Sequence, residues 1–103
     1  MEPDNFTQDL RILPTREVLY EKINETAQRL IPLIKTNIWE FFNNPEKAGF
    51  SYRISFEKFN DNKETSFEVG KIINFEIRRW VEIYNYKLIE SFQNSGCTIH
   101  PPL

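Results

Sequence analysis

Apolar residues recur along this chain in two rhythms, and the switch between them predicts the order of elements. Leu19, Ile23, Ala27, Leu30, Ile34, Ile38 and Phe41 fall on one stripe at ~100° per residue, while Glu17, Glu21, Glu25, Gln28 and Arg29 lie off it. The pattern predicts a helix over residues 16–43, with Thr15 as N-cap and Glu17 favourable in the first turn. Pro32 projects opposite the stripe, where a missing N–H matters least to the core, so a kink is expected there. Two shorter helices are the alternative. Asn43-Asn44-Pro45 supplies the stop.

The period then falls to two. Phe50, Tyr52, Ile54 and Phe56 alternate with Ser51, Arg53, Ser55 and Glu57, which predicts a strand centred on residues 50–58 with one apolar and one polar face. Further on, Val69, Ile73, Ile77, Trp80, Tyr84, Leu88 and Phe92 restore helical spacing. They predict a second helix over 71–94, with Trp80 in its core stripe and Ser95-Gly96 as its stop. Residues 65–70 are open between a hairpin across 60–63 and an earlier helix start. Thr65-Ser66-Phe67-Glu68 has capping-box form, whereas Gly70 inside a helix costs about 1 kcal/mol. Two short pieces, 10–13 and 97–99, are candidate edge strands, and Pro101-Pro102 blocks further pairing. The expected fold is α+β, two long helices on a small antiparallel sheet.

The chain has 103 residues, enough for one domain, with irregular ends at 1–9 and 100–103. Aromatics make up 15% and charged residues 27%, a globular composition. A net charge of −2 argues against a dedicated duplex-DNA binder, whose affinity comes largely from neutralised phosphates. One cysteine, Cys97, excludes an internal disulfide framework. The acidic opening MEPDNFTQD is not a secretory leader, and no apolar run approaches the ~20 residues of a bilayer span. A cytoplasmic location and no membrane contact are the expectations. Phe, Tyr, Met, Ile, Asn and Lys together supply 43 residues against 17 for Gly, Ala, Arg and Pro. That bias fits an AT-rich genome, of a low-GC bacterium, its phages or a mobile element alike, and a phage or mobile-element factor that binds and blocks a host protein is one expectation.

Chemistry is sparse. Cys97 and His100 have the spacing of metal ligands, C-x-x-H, but a structural zinc needs about four ligands and no other Cys or His exists. The same pair read as nucleophile and base has no orienting group in the sequence. The three glycines are isolated, so no phosphate loop forms. No catalytic residue, metal or cofactor is expected. Two binding readings remain. Ile72, Phe75, Arg79, Ile83 and Tyr86 gather off the core stripe of the second helix, and Trp39 and Phe42 stand off that of the first. Such surplus predicts a protein partner or a homodimer, with aromatics and Arg as anchors. The alternative is a nucleic-acid accessory role for Lys71, Arg78, Arg79 and Lys87, on a helix whose acids mix the field.

Overall fold

The structure, a computed structural model, describes residues 11–103. Helix α1 runs Arg16–Phe42. Thr15 is extended, and its hydroxyl accepts a hydrogen bond from the Val18 N–H at 3.2 Å. The helix continues through Pro32 as one element because the ring sits on the exposed side. Ala27, Leu30, Ile31, Ile34 and Ile38 are buried, whereas Leu19 near its start is half exposed. The core-facing stripe thus extends beyond the core itself.

Strand β1 covers Tyr52–Ser55, shorter than the expected 50–58. Its period-two pattern breaks at Phe56–Phe59, a single 3₁₀ turn that drives Phe56 fully into the core. Helix α2 covers Phe67–Ile83 and starts earlier than Gly70. Ser66, rather than Thr65, caps it by accepting from the Val69 N–H at 3.2 Å. Gly70 is tolerated because α2 lies against the following loop. A Cβ there would fall 1.8 Å from the Asn94 carbonyl oxygen, so only glycine permits this approach.

The expected helix over 71–94 is corrected at its end. Asn85 adopts φ 66°. Its N–H donates to the Glu82 carbonyl and the Tyr86 N–H reaches back to that of Val81, the paired bonds of a Schellman stop. The chain then forms strand β2, Lys87–Glu90, and a short turn over Phe92–Asn94. Trp80 is accordingly a half-buried flank, Val81 takes the core position, and Phe92 is exposed. Gly96 is not a helix stop but opens strand β3, Gly96–His100.

The sheet order is β1-β3-β2, antiparallel throughout. The stretch expected as an edge strand, 97–99, is therefore its centre. Ile54 pairs with Cys97 and Leu88 with Ile99, and these buried side chains face the two helices. The α+β arrangement holds: two helices pack on one side of a three-stranded antiparallel sheet. The other edge-strand candidate begins at Leu10, outside the described residues; Arg11, Ile12 and Leu13 form no strand, and Ile12 and Leu13 are exposed. The irregular end expected at 1–9 also lies outside the described residues. His100 belongs to β3 rather than to an irregular tail.

Candidate binding surfaces

Four residues of the expected partner patch, Ile72, Phe75, Arg79 and Ile83, share one stripe of α2, and the fifth, Tyr86, leaves it. Phe75, 59% exposed, stands opposite the core on α2 with the Arg79 guanidinium 5.7 Å from its ring centre. Ile83 is 73% exposed one turn beyond Arg79. Ile72 is half-buried against the core. Tyr86 lies past the Asn85 turn and packs edge-on to Phe42, ring centres 4.9 Å apart.

Tyr86 helps to shape a cleft of about 340 Å³ between the C-terminal ends of the helices. Trp39 and Phe42 of α1 face Trp80 and Val81 of α2 across it, with Tyr84 and Tyr86 from the turn. Trp39 and Tyr84 are each 60% exposed. Lys35 places its Nζ 5.5 Å from the Trp80 ring centre, a cation–π contact. Behind the cleft, Phe42 meets Phe41 edge-on, and Phe41 stacks on Tyr52 at 4.0 Å. The Tyr52 hydroxyl donates to Asn37 Oδ1. Burial raises the Tyr52 pKa, with the Asn37 bond working against it. The rings thus form a continuous aromatic support from sheet to cleft. Sequence periodicity missed it because residues 39–42 and 80–86 converge only in the fold.

The four expected nucleic-acid residues are dispersed. Arg78 is turned inward: it donates to the Leu88 carbonyl at 3.3 Å, pairs with Glu90, and lies 3.9 Å from Glu82. Arg79 bonds Glu76 at 3.3 Å. Lys71 is exposed on α2. Lys87 is on β2, not on the helix, so the single basic helix face is corrected.

Strand alternation also separates Cys97 from His100. Cys97 points into the core with no exposed surface, and burial pushes its thiol up to about 12. Arg78 works against that rise and Glu90 adds to it. His100, three residues on, is on the opposite face, where its Nδ1 lies 2.6 Å from Ser51 Oγ. Among the described residues, no carboxylate bonds this ring as the third member of a catalytic triad would. Among the described residues, no three His, Cys, Asp or Glu cluster as metal ligands, and no helix is long and apolar enough to cross a membrane. No protein family, no curated protein and no solved structure matches the chain.

Proposed function

We propose that the chain is a non-enzymatic protein-binding module that self-associates as a homodimer through the cleft at the ends of its helices. The observation that supports this reading is the aromatic cleft, with Trp39 and Tyr84 each 60% exposed along it. Trp and Tyr bury large areas at small conformational cost, which makes them frequent interface anchors. A surface that carries both a concavity and projecting rings is self-complementary, as a two-fold contact requires. Trp39 of one copy enters the cleft of the other, and the polar Asn43 and Lys35 remain near the rim.

Light scattering with circular dichroism tests this. The wild type is expected to be a dimer at about 100 µM, and Trp39→Glu a monomer with unchanged helical signal, because its side chain is mostly outside the core. Phe75→Glu, on the outer face of α2, is expected to leave the dimer intact. A wild type that stays monomeric at that concentration rejects the second copy as the occupant. Dissociation by Phe75→Glu alone moves the contact from the cleft to the outer face of α2. A phage or mobile-element inhibitor acting by protein contact would use the same surface against a host protein.

A further inference from the structure

The helices cover only one face of the sheet. Strand alternation sends Arg53 and Ser55 of β1, Lys87 and Ile89 of β2, and Thr98 and His100 of β3 to the other. No carboxylate is among them, although acids outnumber bases in the chain, 15 to 13. Glu90, the acid of β2, shares the inward parity of Leu88 and is held by Arg78. The two fixed cations of this face are also unspent. From Arg16 onward, Arg53 is the one arginine without a partner among the described residues, since Arg16 lies over Tyr20, Arg29 bonds Asn60, and Arg78 and Arg79 bond glutamates. Lys87 likewise is exposed and without a charged partner among the described residues.

We infer that this open sheet face binds single-stranded nucleic acid. Register places the side chains in two rows across the strands, Ser51–His100–Lys87 and Arg53–Thr98–Ile89. Neighbouring strands are about 4.8 Å apart and alternate residues on a strand about 6.8 Å. Cations and hydroxyls at that pitch suit successive phosphates: Arg53 offers a planar donor fork, Lys87 a point charge, and Thr98 a hydroxyl between them. The Ser51 bond to Nδ1 holds the His100 ring in the row. Ile89, 46% exposed, lies within the second row. It gives an apolar surface for an unstacked base, which a single strand can offer and a duplex conceals. Two fixed cations are too few for the many phosphate contacts on which duplex affinity rests, and fewer than the cluster of about four to eight that holds a protein to an anionic bilayer.

Fluorescence anisotropy with labelled oligo(dT) and oligo(rU) tests the inference, with a hairpin duplex and phosphatidylserine vesicles as further arms. Binding to the single strands is expected at about 100 µM or tighter. Two phosphates neutralised imply a log–log salt slope of about −1.4, so tenfold more salt weakens binding about 25-fold. Arg53→Ala with Lys87→Ala is expected to lower affinity at least tenfold and flatten the slope, with unchanged circular dichroism. Lys71→Ala with Arg79→Ala, on α2, is expected to leave both unchanged. Absence of single-strand binding, equal affinity for the duplex, binding to vesicles alone, or loss in the α2 pair but not the sheet pair each overturns the inference.

Discussion

Cys97 shows what position does to a single side chain. In the central strand its thiol has no access to water, and its pKa rises from near 9 to about 12. The folded state therefore favours the protonated thiol relative to the unfolded chain. The associated stability is complete below pH 9 and is lost as pH climbs towards 12. Urea midpoints measured across that range are expected to fall more steeply for the wild type than for Cys97→Ala. Gly70 makes the opposite point, that an absent side chain can be the requirement. Gly70→Ala gains about 1 kcal/mol of helix propensity but drives a methyl group into the Asn94 carbonyl. Backbone must shift, at a cost of about 1–3 kcal/mol or more, so a lower melting temperature is expected. A higher one would mean that the Asn94 loop yields freely.

At the level of elements, the end of α2 decides the topology, because without it β2 could not form. Asn85→Ala puts a Cβ-bearing residue lacking the amide side chain at φ 66°, and a loss of about 1–2 kcal/mol by urea denaturation is expected. Asn85→Gly is expected to match or exceed the wild type. This turn was also the least legible part of the sequence. Tyr84, Leu88 and Phe92 are four apart, and four is both about one helical turn and two strand repeats. Spacing alone cannot choose between them. By contrast, Thr15 and the α1 stripe from Ala27 to Ile38 point to helix, whole or broken at Pro32, and the alternation of Tyr52 and Ile54 points to strand; α1 forms as one helix, and β1 forms within the expected stretch but shorter. Among the surface candidates, the exposure of Phe75 and Ile83 was readable from helical phase. The cleft was not, because its walls are some forty residues apart in sequence.

For the molecule as a whole, unequal helix lengths and strand order set the division of labour. α1 has 27 residues and α2 has 17, about 40 Å and 25 Å at 1.5 Å per residue. Buried positions on α1 begin only at Ala27, so its first turns project beyond the shared core. Local turns explain the helices well, and β2 meets β3 in a local hairpin, but β1 joins the sheet by non-local pairing that periodicity does not encode: β1 and β2 are not neighbours, and both bond to β3. That order governs how the molecule assembles. The hairpin of β2 and β3 can close on its own, whereas β1 has no hydrogen-bonding neighbour until the segment 96–100, some forty residues further along the chain, reaches it. Closure of β1 onto β3 is thus the late, high-contact-order step of folding, and the chain is most open to proteases and chaperones just before it.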